Sequence, residues 1–299
     1  MKVIKPKSMT DAMLAAASIA EPATGETAWN AATAYAQGDR AIRTQTHRIY
    51  ERLVAGTTAT APELDSTNWL DVGPTNRWAM FDEQVSTASQ ATSSLSVTVN
   101  VGYVNSVAAV GLVGSSLTVT LKDSPGGTTV YTVTKALDGT IILDWFGYFF
   151  EPFVQLGEVV LTDLPLYLNG QLVVTLTGGG AVAIGNLVFG QSYDLGEAEY
   201  GATAGITDYS VKQTDEFGIT TFVPRTFAKR MTARMFLDAV RMNGVQRVLS
   251  DIRATPCIWI GADDPIYAPL VVYGWYRDFS IDVAYPTTAL VSLEVEGLT

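Results

Sequence analysis

His47 is the only histidine in the chain of 299 residues, so a Ser-His-Asp nucleophile would have to be built on it. It stands beside Arg48 with no Gly-x-Ser-x-Gly nucleophile turn nearby, and it reads as a surface or turn histidine. Metal sites made from paired histidines are excluded. Cys257 is the single cysteine, which excludes an intrachain disulfide and any Cys-based metal cluster. Its setting, Pro256-Cys257-Ile258-Trp259-Ile260, is that of a buried thiol packing as a small hydrophobe. Gly178-Gly179-Gly180 lacks the Lys-Ser/Thr of a phosphate loop and reads as a strand-ending turn. The 30 acidic residues could supply the two carboxylates a glycosidase needs, but no spacing singles out a pair. Asp263-Asp264 before Pro265 reads as a turn. No catalytic residue, metal ligand or cofactor is assigned, and an enzyme is not expected.

Aromatic side chains offer a different chemistry, flat faces for stacking. Trp29, Tyr35, Tyr50 and Trp69 punctuate one short region and are the candidates for carbohydrate contact. A denser cluster, Trp145-Phe146-Gly147-Tyr148-Phe149-Phe150, has Phe153 close by. Strand alternation would send Trp145 and Phe149 to one side and Phe146, Tyr148 and Phe150 to the other. Apolar residues on both faces imply that both faces are covered. The segment is therefore expected to be a central strand, with one face open to the alternative of packing on a neighbouring subunit, where aromatics are enriched.

The elements that must hold these residues are mainly strands. Hydrophobic residues make up 47% of the chain and charged ones 16%, against roughly 25% charged in an average soluble domain. So little charge requires large cores or surface hidden between subunits. Between about 83 and 190 the chain runs in short alternating stretches, Leu95 to Val99, Leu117 to Leu121, Thr129 to Val133 and Leu172 to Leu176. Turns such as Pro125-Gly126-Gly127 separate them, the pattern of a β-sandwich or jelly roll. Beyond 190, Arg230 to Phe236 alternates basic and apolar residues like an exposed strand, and Val245, Val248, Leu249 and Ile252 recur at helical spacing. The fold class expected is mainly β. It comprises an N-terminal arm at 1–25, a small β module with its connector at 26–82, a sandwich at 83–190 and an α+β region at 191–299. Lys2, Lys5 and Lys7 ahead of Met13-Leu14-Ala15-Ala16-Ala17 imitate a secretory signal, but Asp11 interrupts it. The arm is read as carrying a short helix capped by Thr10 or Asp11.

Charge sets limits on partners. The net charge of −11 argues against a nucleic-acid binder, which needs clustered Lys and Arg to meet phosphates. Residues 164–193 carry no charge, but Gly, Asn, Gln and Thr break them up, so no membrane insertion is expected. No Lys or Arg lies between Lys135 and Lys212, a span with nine acids, whereas seven of the 19 basic residues fall between Arg225 and Arg253. That layout suits head-to-tail pairing around a ring. With the aromatic cluster it makes Trp145, Phe146, Tyr148, Phe149, Phe150, Arg230 and Arg234 the candidates for a subunit interface.

Two resemblances refine this reading. Trp29, Tyr35-Ala36-Gln37-Gly38-Asp39-Arg40, His47-Arg48-Ile49-Tyr50, Pro62 and Trp69-Leu70 together resemble the small carbohydrate-binding modules of chitinases and many phage proteins. Gly38-Asp39 is read there as a hairpin turn, and the aromatics as a miniature core. Sugar-binding members carry a pair of exposed aromatics after the Tyr that matches Tyr50, where this chain reads Glu51-Arg52-Leu53-Val54. Over nearly the whole chain, stretches such as Asp71 to Asp82, with Trp78 and Phe81 as anchors, Asp144 to Phe153, Gly201 to Ser210 and Leu270 to Tyr285 resemble tail-gene virion proteins of tailed bacteriophages. That resemblance implies a structural protein of the virion tail or baseplate, assembled in the host cytoplasm. Its partners would be copies of itself in a ring or trimer, other tail proteins and, through the small module, host surface glycan. A glycan-binding receptor-recognition protein is the alternative, and a polysaccharide-degrading enzyme stands behind both.

Overall fold

Alternation built the strands expected. In the computed structural model, which describes residues 1–140, 142–262, 265–283 and 285–298, strand outweighs helix by 47% to 11%, placing the chain in the mainly β class. The Asp263-Asp264 turn lies outside the described residues. Ser94–Val99, Ser116–Lys122, Thr129–Ala136 and Gln171–Thr177 are all strands. They join with Leu14–Ala17 in a five-stranded antiparallel sheet. Leu95, Val97 and Val99 point inward with Leu117, Val119 and Leu121, all nearly inaccessible to solvent, as a period of two demands when one face is buried.

That face packs on a ten-stranded antiparallel sheet. Its order begins Glu158–Leu161, Ser106–Val110, Asn186–Asp194 and Lys2–Pro6, then runs through Cys257–Ile260, Val271–Asp282, Thr288–Gly297 and Phe227–Asp238. Successive residues divide between cores. Val107, Ala109, Leu187 and Phe189 meet the five-stranded sheet, while Ala108, Val110 and Val188 join Ile4, Ile258 and Tyr273 on the opposite face. At the other end, the amphipathic helix Met242–Asp251 buries Val245 and Leu249 against Met231, Met235, Trp259, Val272 and Leu293. The sheet curls until Lys229, on Phe227–Asp238, donates from Nζ to both carboxylate oxygens of Glu158 at 2.8 Å. Gly190 lies where a Cβ would overlap the Lys5 carbonyl, so only glycine lets these two strands approach.

Four expectations need correction. The first segment is no detached arm: Lys2–Pro6 lies inside the large sheet between Asn186–Asp194 and Cys257–Ile260. The expected helix there is a single 3₁₀ turn, Asp11–Met13, without a side-chain cap from Thr10. The alanines continue as the strand Leu14–Ala17, paired with Ser94–Val99. Alanine favours helix, but so short a run cannot recover the cost of helix nucleation, and sheet pairing satisfies its backbone instead. Asn186–Asp194 crosses residue 190 without interruption, so the sandwich and the α+β region share one sheet. Trp145–Phe150 is a helix and not a strand.

The module at 26–82 is a three-stranded sheet of Arg40–Arg43, Arg48–Arg52 and Trp69–Pro74. Tyr35, Ala41, Tyr50 and Trp69 form its core. Gly38-Asp39 turns the chain into the first strand, with Ala36 N–H donating to Asp39 Oδ2 at 2.7 Å. The hairpin turn itself lies between Arg43 and Arg48.

Candidate interaction surface

His47 closes that hairpin with φ of 56°, as a turn residue. Its side chain nonetheless joins three parts of the chain. Nδ1 lies 2.9 Å from a Glu21 oxygen, and the Thr75 hydroxyl donates to Glu21 at 2.6 Å. The ring stacks on Trp78 at 4.0 Å. The Asp11 carboxylate stands 3.2 Å from Nε2 without forming a hydrogen bond to it. Among the described residues no hydroxyl or thiol is hydrogen-bonded to the ring, and the cluster is a fastening between the first segment, the small module and its connector. Met80, 1% exposed, extends the fastening into the sandwich core. His47→Ala should lower unfolding free energy by about 1–3 kcal/mol, because a buried carboxylate loses a bonded neighbour. Urea denaturation monitored by tryptophan fluorescence reads this directly.

Cys257 is fully buried, and that burial pushes its thiol up to about 12. A thiol held so far above neutrality is not a nucleophile. Native protein at pH 8 should resist alkylation by iodoacetamide, and one equivalent should react in denaturant. Rapid labelling of the native state would contradict this burial. Among the described residues no three of His, Cys, Asp and Glu stand together as metal ligands.

The sugar-contact candidates do not form a platform. Tyr35, Tyr50 and Trp69 are 6%, 5% and 2% exposed, because a module this small spends its aromatics on its own core. Tyr35 meets Trp69 edge-on at 5.0 Å, and the guanidinium of Arg52, itself buried, lies over the Trp69 ring at 5.1 Å. Trp29 keeps partial exposure, but Arg43 covers its ring at 4.8 Å. Glu63 in turn holds Arg43 at 2.7 Å. Tyr35, Tyr50 and Trp69 thus present no open face on which a pyranose could stack, and Trp29 carries Arg43 over its ring.

The aromatic cluster presents its rings instead. Asp144 caps the helix Trp145–Phe150 by accepting from Gly147 N–H at 2.6 Å. Glu151 N–H closes the helix on the Gly147 carbonyl at 2.8 Å, and Pro152 bars a further turn. The cap and the proline were visible in the sequence and are the signal that the strand reading missed. Trp145, Phe146, Tyr148, Phe149 and Phe150 are 62–80% exposed. Their ring contacts are with one another: Trp145 with Tyr148, Phe146 with Phe150, and Tyr148 with Phe149. Exposed apolar patches of this kind occur at protein–protein and membrane interaction sites.

Arg230 and Arg234 share the exposed face of Phe227–Asp238, opposite Glu296 and Ser292. They do not join the aromatic helix in one side-chain cluster. The segregated charges instead meet partly within the chain: Lys229 pairs with Glu158 at 2.8 Å, and Arg241 with Asp194 at 3.1 Å. Two of the seven basic residues between Arg225 and Arg253 are thus paired within the chain. No helix among the described residues is long and apolar enough to cross a membrane. Compared with known proteins, the chain matches no family model and no curated sequence.

Proposed function

We propose that the chain is a non-enzymatic structural subunit of a bacteriophage tail, sited at the tip or baseplate and working as a symmetric oligomer. The observation that carries the assembly part of this reading is the solvent-exposed aromatic helix Trp145–Phe150. Water contact at five large rings costs free energy that a neighbouring subunit removes. The tail assignment rests on the resemblance of the stretches quoted above, and the low charged fraction agrees with it. Glycan recognition has lost its support at Tyr35, Tyr50 and Trp69, since buried rings offer no stacking face. The test is immunogold electron microscopy of purified particles with antibody against this chain. Gold at the tail tip is expected, and particles without label would overturn the assignment.

A further inference from the structure

The five-stranded sheet ends on Thr129–Ala136, which among the described residues pairs on one side only, with Ser116–Lys122. Leu137 N–H donates to the Ser115 carbonyl at 2.9 Å, extending that ladder by a hydrogen-bonded rung. Antiparallel rungs alternate, so Lys135, Val133 and Tyr131 exchange hydrogen bonds with the neighbouring strand. The N–H and C=O groups of Thr132, Thr134 and Ala136 therefore point away from the sheet, and all three residues are exposed. The far side of the sheet agrees. Gly178 N–H donates to the Ser93 carbonyl at 2.9 Å, which commits Ser116, Thr118 and Thr120 to Gln171–Thr177 and leaves Leu117, Val119 and Leu121 for the edge strand. The chain returning at 154–156 lies on the covered side, because its bonds go to Leu137 and Gly139, in phase with Lys135.

An open edge is a template for another strand, and proteins blunt such edges with short strands, bulges, glycine, proline or charge. The other ends of the two large sheets are blunted in these ways. Leu14–Ala17 is four residues long and bulged. Glu158–Leu161 is equally short and opens on the ion-paired Glu158. Glu197–Ala198 has two residues, and Thr203–Asp208 contains Gly205 and ends on an acid. Thr129–Ala136 differs from all of them. It runs for eight residues of Thr, Val, Tyr, Lys and Ala without Gly or Pro, and its bulge at Val130 leaves the rest of the strand regular.

From these observations we infer that Thr129–Ala136 pairs with the same strand of a second copy, antiparallel about a two-fold axis at Val133, joining two five-stranded sheets into one. The inference rests on the oligomeric reading above and names one of its contacts. This register sets Thr132 of each copy against Thr134 of the other, so the outward groups of both residues are satisfied. Val133 meets Val133 in a closely spaced pair, and Lys135 stands opposite Tyr131. Tyr131, Val133 and Lys135 share one face of the strand, and the Tyr131 hydroxyl donates to Asp163 Oδ1 at 2.9 Å. Among the described residues neither Lys135 nor Asp163 has an ion pair within the chain. The two-fold pairing brings the ammonium of each copy to the Tyr131–Asp163 pair of the other. A strand of an unlike protein would have to supply both an acid and a base there, whereas a second copy brings both. A patch that contacts itself in this way closes on two copies. Two hydrogen-bonded pairs, at two bonds each, do not by themselves offset the cost of association. The edge therefore fixes the register of copies already held in the oligomer.

The test is disulfide trapping in the full-length chain. Native Cys257 is buried and does not compete. Val133→Cys sets a thiol against its own copy with Cα atoms about 4.5 Å apart, within disulfide reach. After mild oxidation a covalent dimer is expected on non-reducing electrophoresis. Its yield should be at least about tenfold above that of Thr129→Cys, whose copies this register holds too far apart to bridge. Thr132→Cys and Thr134→Cys, exposed and carried on chains with different tags, should give a mixed pair through the same register without touching the core. A folded oligomer in which neither link forms overturns the inference and leaves the oligomeric reading standing. A wild-type chain that sediments as a monomer at high concentration overturns both.

Discussion

Replacing Phe146, Phe149 and Phe150 together by serine is expected to convert the oligomer to monomers whose melting temperature equals that of wild-type chains diluted to monomer. Each ring is about 70% exposed in the single chain, so folding gains little from it. Full burial of a side chain this size against a neighbour contributes about 1.5–3 kcal/mol. Three such losses amount to about 5 kcal/mol, which weakens association by a factor on the order of 10³–10⁴. Serine leaves the Asp144 cap on Gly147 and the closing bond from Glu151 in place, so the turn of helix persists. Sedimentation equilibrium reads the association and a thermal melt reads the fold. A melting temperature many degrees below that of dilute, monomeric wild-type protein would mean that the rings belong to the core, as a covered central strand requires.

Trp259→Ala is expected to do the reverse, costing about 3–5 kcal/mol of unfolding free energy. This ring is fully buried, in a strand hydrogen-bonded to Lys2–Pro6 on one side and Val271–Asp282 on the other. Its Nε1–H donates to the Gly274 carbonyl at 3.0 Å, and it meets Tyr276 edge-on at 6.0 Å. The Tyr276 hydroxyl in turn donates to the Leu249 carbonyl at 3.0 Å. Removing the indole therefore empties the core beneath the amphipathic helix and loosens that helix from the sheet. A large-to-small change costs most where neighbours cannot close in, and strands held on both sides cannot. Urea denaturation followed by far-ultraviolet circular dichroism would record the loss, and a change below about 1 kcal/mol would show the site to be adaptable.

These two aromatic sites explain where sequence reading succeeds and where it stops. The run from Cys257 to Ile260 is apolar at every position, and a strand covered on both faces follows from that. All four residues are indeed buried. Trp145 to Phe150 has the same apolar density but lies outside the sheet, because Asp144 and Pro152 frame a single helical turn. Local hydrophobicity is alike in the two segments, and the bounding residues differ. At Tyr35, Tyr50 and Trp69 the identification of a small aromatic module and the assignment of its rings to sugar contact pulled in opposite directions. The miniature core claimed the rings.

Alternating side chains, turn glycines and one helical stripe determined by themselves that this chain is mainly β, where its principal strands run and which helix packs by its apolar face. Those signals are local, and period and capping need no knowledge of distant partners. Only the tertiary structure decided that Lys2–Pro6 is a central strand, that one sheet spans residue 190, and that the acidic middle and basic late segments meet through Lys229–Glu158 and Arg241–Asp194. It also decided which aromatics are covered. Burial is a property of what lies opposite in space, and the residues that cover Trp259 come from strands and a helix spread along the whole chain. Among the described residues nothing covers the five rings of Trp145–Phe150.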